Sequence, residues 1–197
     1  MGVYDYVVKS ENYWALLPSV IFKAIKQHEM EREKARLALD LERLVITDEL
    51  TGLFNRRYFY REIEEEMVRA KRQNGKLTLI LFDLDHFKEY NDTFGHLEGD
   101  RALKEVGKII LFSIRDKVDS GCRYGGDEFA VILPSTDVKH ANTVAGRIRR
   151  SVKEKKMGNI DISAGIVEYD CESGVERFIK TADDALYAAK KQEKRGG

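Results

Sequence analysis

The spacing of apolar residues separates a helical first quarter of the chain from a mixed remainder. Residues 16–45 are rich in Glu, Lys, Arg, Ala and Leu, and Pro18 falls in the first turn, where a helix tolerates proline. Two apolar stripes recur at helical spacing. Their members are Leu17, Val20, Ile21, Ala24 and Ile25, followed by Met30, Leu37, Leu41 and Leu44. The pattern predicts a long helix that either pairs with a copy of itself as a coiled coil or packs on its own domain.

From Asp48 onward, apolar runs of strand length alternate with amphipathic stretches of helix length. Helices are predicted over 56–73, 97–115 and 175–195, and from the capping residues Ser135 and Thr136 to 155. Strands are predicted over 76–85, 121–124, 128–133 and 160–169, with a further short strand at 4–8. This alternation, with one hairpin, predicts a single α/β domain whose central sheet is covered by helices.

Composition excludes several classes of protein. The 197 residues contain 34 Lys and Arg and 34 Asp and Glu, and this balance argues against a dedicated nucleic-acid-binding protein. No apolar run reaches the ~18 residues of a membrane span, and the first residues lack a signal-peptide pattern. We therefore expect no membrane partner and a cytoplasmic location. The two cysteines lack CxxC spacing and are expected to stay reduced.

Carboxylates cluster at two places where the apolar pattern ends. Asp83 and Asp85 close a strand of the buried type and can share one of its faces. Asp127 and Glu128 follow the double glycine at 125–126, which permits positive φ and leaves room for a bulky ligand. A lone Asp-x-Asp is also typical of solvated carboxylates. If the hairpin turn lies beside the strand end, however, the acids converge on a magnesium site that offsets their repulsion.

Three motifs together, DELTGLFNRR, FDLDHFKEYNDTFGHLEGD and RYGGDEF, resemble the GGDEF domain of diguanylate cyclases. The resemblance implies a GGDEF domain at 47–197, with a nucleotide-cyclase-like α+β fold whose mostly antiparallel central sheet is flanked by helices. It implies a homodimeric transferase that condenses two GTP into cyclic di-GMP and two pyrophosphates where two domains meet. Two Mg²⁺ (or Mn²⁺) ions are implied in each half-site. The alternative is a catalytically inactive module that binds GTP or a protein partner as a sensor.

The resemblance also implies a role for each motif residue. Asp83, the Leu84 carbonyl, Asp127 and Glu128 are implied as metal ligands, with Asp127 and Glu128 catalytic and Asp127 activating the 3′-hydroxyl. Substrate contacts are implied for His86, Phe87 and Lys88 at the phosphates, Asn91, His96 and Asp100 at the guanine, Gly125 and Gly126 in the turn, and Lys190 and Lys194 at the γ-phosphate. The family commonly has Gly-Arg-Asn at 193–195. Lys194 supplies charge but no bidentate fork, so we expect phosphate binding to survive in a weaker form.

Two further expectations concern residues that flank the signature. Many family members bind the inhibitory product with Arg-x-x-Asp, and Asp119 occupies the Asp position while Asp116 replaces the Arg. Arg115 lies one residue away, so this inhibitory site is predicted to be degenerate and product inhibition weak or absent. Asp48 is expected either to cap a turn or, as the resemblance implies, to pair with Arg123.

The beginning of the chain, GVYDYVVKSENYWALLPSVIFKAIKQ, resembles the last strand and helix of a phosphoreceiver domain from a response regulator. We therefore expect residues 1–46 to combine a receiver remnant with a signalling helix. An upstream histidine kinase is an expected partner if the rest of a receiver domain is present in a longer protein.

Overall fold

The structure is a computed structural model that describes the backbone of residues 13–196 and the side chains of residues 18–37 and 46–191. The described chain folds into six helices and four strands. In chain order these are α1 (Tyr13–Ile46), α2 (Arg56–Gln73), β1 (Leu77–Asp85), α3 (Phe87–Phe94), α4 (His96–Ser113), β2 (Ser120–Gly125), β3 (Glu128–Pro134), α5 (Val138–Glu154), β4 (Asp161–Glu168) and α6 (Val175–Gly196).

The four strands form one sheet in the order β2-β3-β1-β4, and every neighbouring pair is antiparallel. The fold-class prediction, an antiparallel central sheet flanked by helices, is therefore confirmed. β1 is central, and its register places Leu77 opposite Pro134 at one end. At the other end Asp83 lies opposite Glu128 of β3 and Ser163 of β4.

Helices cover both faces of the sheet because alternate residues of each strand point to opposite sides. Ile80, Phe82 and Leu84 of β1 join the core formed with α4 and α5. Leu77, Leu79 and Leu81 join the second core, formed with α2 and α6. By the same alternation, Asp83 and Asp85 continue the α2/α6 face beyond the end of the apolar run.

Two local predictions differ from the structure. The N-cap of α5 is Asp137, whose carboxylate accepts the His140 amide, so the prediction of Ser135 and Thr136 as caps is wrong. An aspartate satisfies the unpaired amide of the first helical turn as a serine would, and here Ser135 has a left-handed φ of 51°. The short helix α3 was not predicted: Phe87, Tyr90 and Phe94 have helical spacing, but eight residues are too few for a clear periodic pattern, and none of them is fully buried.

The chain divides into two compact units at residues 45 and 46. In the first unit, large apolar side chains of α1 are exposed: Ile21, Phe22, Ile25, Met30 and Leu37. The side chains of Leu17, Leu41 and Leu44, and the predicted strand at 4–8, lie outside the described residues. Within the described part of the chain, no helix is long and apolar enough to cross a membrane.

Candidate active site

The hairpin turn between β2 and β3 lies against the end of β1. Gly126 and Asp127 form the turn, Gly126 has a left-handed φ of 42°, and a register shift between Arg123 and Gly125 marks a bulge just before it. Bulges re-aim side chains and are frequent beside active sites. The Leu84 amide donates to the Asp127 carbonyl at 3.3 Å. The turn therefore holds its acids beside the carboxylates that end β1.

Asp83 and Glu128 are register partners across β1 and β3, so two carboxylates lie next to each other. Burial raises the pKa of Asp83; Lys190 opposes the shift, while Asp127 and Asp85 add to it. Burial also raises the pKa of Glu128, reinforced by Asp83 and Asp127 and opposed by Lys190. Both shifts have the same direction because each group loses hydration and faces like charge. The site therefore favours binding of positive charge.

Lys190 of α6 supplies one such charge from within the protein. Its Nζ lies 2.5 Å from Asp83 Oδ1, and the side chains are 32% and 16% exposed. α6 reaches this position because Gly165 of β4 lies under its backbone. A Cβ on Gly165 would be 2.2 Å from the Ala182 carbonyl oxygen, so only glycine permits this approach.

On the other side of the turn, an open cleft of about 410 Å³ lies between the turn, α3 and α4. Most predicted substrate-binding residues before the signature line it, together with parts of the turn. The lining residues are Phe87, Lys88, Asn91, Asp92, His96, Asp100, Leu103, Arg123, Gly126 and Asp127. Among the described side chains, Asn91 Oδ1 is a buried acceptor with no hydrogen-bond partner. The cleft is thus lined by carboxylates, by Lys88 and by Asn91, whose amide oxygen is buried beside it.

The first turn of α3 lies at this end of the sheet, because α3 begins at Phe87, two residues after β1 ends at Asp85. His86 precedes the helix with a left-handed φ of 62°, and its ring Nδ1 lies 3.1 Å from Glu89 Oε2. The first amides of a helix have no intrahelical acceptor and favour anions. The position suits the backbone of His86 and Phe87, with the exposed Lys88, to a phosphate group.

Arg123 holds the turn in place by hydrogen bonds to its backbone. Its Nε and one terminal nitrogen donate to the Gly126 carbonyl at 3.0 and 2.8 Å, and the other nitrogen contacts the Asp48 carboxylate at 3.2 Å. Burial would raise the pKa of Asp48, but hydrogen bonds from Thr51 and the Arg123 charge outweigh burial and lower it. Both expectations for Asp48 are met, because it caps the Thr51 amide and pairs with Arg123.

Arg115 and Asp119 lie at the far end of β3. The guanidinium donates to the Asp119 carboxylate and also to the Pro134 carbonyl and the Thr136 hydroxyl, at 2.8 and 2.9 Å. The side chain of Asp119 is only 2% exposed and also accepts a hydrogen bond from the Arg115 amide at 2.7 Å. Arg115 and Asp119 are thus hydrogen-bonded to each other, and Arg115 is also hydrogen-bonded to the chain around Pro134 and Thr136.

The donor set suits magnesium by its chemistry. Mg²⁺ takes oxygen ligands from one or two carboxylates and leaves other positions to water and phosphate. Asp83, Glu128 and the adjacent Asp127 are such donors. Burial and neighbouring like charge raise the pKa of Asp83 and Glu128, and a bound cation would relieve that repulsion. Within the described side chains, no group of three or more His, Cys, Asp or Glu residues is arranged around a common metal position. Lys194 lies in α6, but its side chain is outside the described part.

Sequence reasoning missed Gly99 and Gly165, which act by having no side chain. A Cβ on Gly99 would collide with the Asn91 amide, and one on Gly165 with α6. An isolated glycine in a helical or strand pattern is the signal that marks such close approaches. The direct contact of Lys190 with Asp83 was also missed, since it depends on the packing of α6.

Comparison with known proteins gives a consistent result. The family model described as "Diguanylate cyclase, GGDEF domain" matches residues 45–196. Response regulator PleD of Caulobacter vibrioides is 38% identical over 156 residues, covering 75% of this chain and 34% of PleD. Diguanylate cyclase DgcP of Pseudomonas aeruginosa is 36% identical over 176 residues, covering 86% of this chain and 25% of DgcP. The chain therefore spans only a quarter to a third of these relatives.

Solved structures show the same relationship. The coiled coil and GGDEF domain of DgcB from Caulobacter crescentus, in complex with c-di-GMP, matches with a TM-score of 0.79 and 30% identity, over 90% of this chain and 95% of that one. Diguanylate cyclase SiaD from Pseudomonas aeruginosa, in complex with its activator SiaC, matches with a TM-score of 0.73 and 32% identity, over 92% of this chain and 72% of that one.

Proposed function

Because the chain belongs to the GGDEF family of diguanylate cyclase domains, we propose that it condenses two GTP molecules into cyclic di-GMP and two pyrophosphates. The observation that carries this proposal is the position of the signature turn. It lies between the Asp83–Glu128 pair on one side and the cleft of Asn91 and Asp100 on the other. One nucleotide can thus bind its base in the cleft and its phosphates near the carboxylates, where Mg²⁺ ions would offset the like charges.

Guanine recognition is assigned to the cleft. The Asp100 carboxylate accepts two hydrogen bonds from the N1–H and N2–H edge of guanine, which adenine does not offer. The Asn91 amide and His96 line the same volume. The α3 amides at His86 and Phe87, with Lys88, Lys190 and Lys194, bind the triphosphate, and Gly125 and Gly126 leave space for it. Because this pocket is built to hydrogen-bond guanine, it should reject analogues that leave its acceptors unpaired.

The chemistry is assigned to the acids. Asp83, the Leu84 carbonyl, Asp127 and Glu128 would hold two Mg²⁺ or Mn²⁺ ions, which supply charge neutralisation for the phosphates when bound. Asp127, with Glu128, accepts the proton of the 3′-hydroxyl as that oxygen attacks the α-phosphate of the other GTP. Pyrophosphate leaves as the new phosphodiester bond forms. The attack repeated in the opposite direction closes the ring.

Two copies are needed because each domain presents one GTP. We assign α1 as the element that pairs the copies, since its exposed Met30 and Leu37 are one heptad apart and the sequence continues this spacing at Leu41 and Leu44. The matched DgcB structure contains a coiled coil and a GGDEF domain, and the match covers 90% of this chain. The receiver remnant at 1–46, and a histidine kinase as its input, stay predictions.

Product analysis tests the proposal directly. The purified chain is incubated with GTP and MgCl₂, and products are separated by ion-exchange chromatography and identified by mass. We expect cyclic di-GMP with two pyrophosphates for each molecule, and no product from ATP alone. GTP binding without turnover, at protein concentrations high enough for dimers, would support the inactive sensor module instead.

A further inference from the structure

Gly99 packs directly on the side chain of Asn91. Gly99 lies in the first turn of α4 and is buried, and Asn91 lies in α3 beside it. A Cβ built on Gly99 would be 1.8 Å from Asn91 Oδ1 and 2.9 Å from its Cγ. No real Cβ makes such contacts. Asn91 can therefore keep its position only while residue 99 has no side chain.

The backbone does not require glycine at this position. The φ of Gly99 is outside the left-handed region occupied by Gly52, Gly95, Gly126 and Gly158. Glycine inside a helix costs about 1 kcal/mol relative to alanine. Alanine at position 99 would therefore stabilise α4 if no other side chain packed on this position. The reason for glycine on this structure is the amide of Asn91.

The Asn91 amide packs on Gly99 through its Oδ1, and Asn91 is also one of the residues that line the cleft. Its Oδ1 is buried without a hydrogen-bond partner in the protein, although Asn91 lines the cleft with Asp100. A buried acceptor without a partner is unfavourable, and no hydrogen bond to Oδ1 within the described protein holds the amide in place. Steric contact with Gly99, and not a hydrogen bond, sets where the amide lies.

We propose that Gly99 is a positioning residue for nucleotide binding, which fixes the Asn91 amide against the base in the cleft beside Asp100. The inference rests on the proposed function, because it takes guanine as the base. It assigns no direct ligand contact to Gly99. Its effect passes entirely through Asn91, and this dependence makes the inference testable.

The test is a double-mutant cycle in which the affinity for a nucleotide is measured. The probe is 3′-deoxy-GTP with MgCl₂, which cannot react because it lacks the attacking hydroxyl, and its affinity for the full chain is measured by calorimetry. Gly99→Ala should weaken binding about tenfold, the scale of one lost hydrogen bond. In the Asn91→Ala background, Gly99→Ala should cause no further loss, because the amide it displaces is already absent. Gly146→Ala is the matched control, since a Cβ at this helical glycine meets nothing within 4 Å.

Each outcome decides the inference. An equal loss from Gly99→Ala in both backgrounds would overturn it and indicate a general disturbance of α3 and α4. Unchanged affinity in Gly99→Ala, or in Asn91→Ala, would also overturn it. If Gly99→Ala alone fails to fold, the double variant has no collision, and its affinity relative to Asn91→Ala still decides. If the wild-type chain does not bind 3′-deoxy-GTP at all, the proposed function fails first.

Discussion

Two acidic sites lie at opposite ends of the β1–β3 pair and differ in how their charges are satisfied. At the end near Asp83 and Glu128, adjacent carboxylates repel each other, and Lys190 is their nearest positive charge. At the other end, Asp119 is matched by the side chain and amide of Arg115. The register separates the two sites by about 20 Å at ~3.3 Å per strand residue.

The difference indicates which acids bind a ligand and which hold the fold. An excess of like charge costs stability and persists where a cation or phosphate contributes to function. A buried carboxylate that already accepts its hydrogen bonds from the protein has no free acceptor for a ligand. Mutations at the first end should therefore change activity more than stability, and mutations at the second end should do the reverse.

The largest expected effect is at the signature turn. Asp127→Asn should lower cyclic di-GMP production about 10²- to 10⁴-fold, because the amide cannot accept the 3′-hydroxyl proton. Chromatography of GTP reactions measures this loss, with Asp116→Asn, an exposed aspartate outside the site, as the control. The melting temperature should stay close to that of the wild type. Activity within about tenfold of the wild type would remove Asp127 from its assigned role.

At the other end of the strands, Arg115→Ala should reduce stability. It removes charged hydrogen bonds to a buried carboxylate and leaves that carboxylate under-satisfied, at a cost of about 2 kcal/mol. For a chain of this size the melting temperature should fall by about 4–8 °C, measured by calorimetry. Turnover per folded molecule should not change. Lys180→Ala, which breaks an exposed ion pair with Asp184, should barely move the melting temperature. A variant as stable as the wild type would show that the Arg115 contacts contribute nothing net.

A smaller effect, opposite in sign, is expected for Glu128→Gln. The raised pKa means that folded Glu128 holds its proton more tightly than the unfolded chain does, so the associated stability is present below the usual value of 4.5 and is lost as pH rises through the raised pKa. Glutamine does not ionise, so the variant does not lose this stability as the pH rises. The variant should melt slightly above the wild type at pH 7, and the gap should close below pH 4.5. Glu172→Gln, at an exposed position, controls for the charge change. If the two melting temperatures are equal at pH 7, or if their difference increases in acid, repulsion among these carboxylates does not destabilise the folded chain.

The smallest effect is expected from the product. Cyclic di-GMP should inhibit weakly or not at all through the Arg115 region. The Arg115 guanidinium already donates to Asp119 and to the Pro134 carbonyl, and the Asp116 carboxylate would repel the phosphates of the product. Titration of cyclic di-GMP into the assay measures this. Submicromolar inhibition that disappears in Arg115→Ala would show that the guanidinium leaves Asp119 for the product.

Sequence patterns predicted the sheet and most helices because β1 and β3 are apolar runs and α2, α4, α5 and α6 have apolar periods. They did not predict α3, which is short and has no fully buried residue, or the cap at Asp137, because several polar residues there can cap. For the site, the motifs indicated which residues to consider, and the register of β1 and β3 then placed Asp83 opposite Glu128. An isolated glycine in a helix or strand pattern indicates a close approach, but the surface that packs on Gly99 or Gly165 is set by the tertiary fold and not by the local sequence.

The most direct test of the account is the specific activity of the full chain with GTP and MgCl₂ over a wide range of protein concentrations. Each domain carries half of the reaction, so specific activity should rise with concentration and level off once the chains are paired through α1. Dilution below the dimer dissociation constant, measured separately by analytical ultracentrifugation, should reduce it. Specific activity that stays flat across that range would contradict a reaction between two copies, and no cyclic di-GMP at any concentration would contradict the proposed activity.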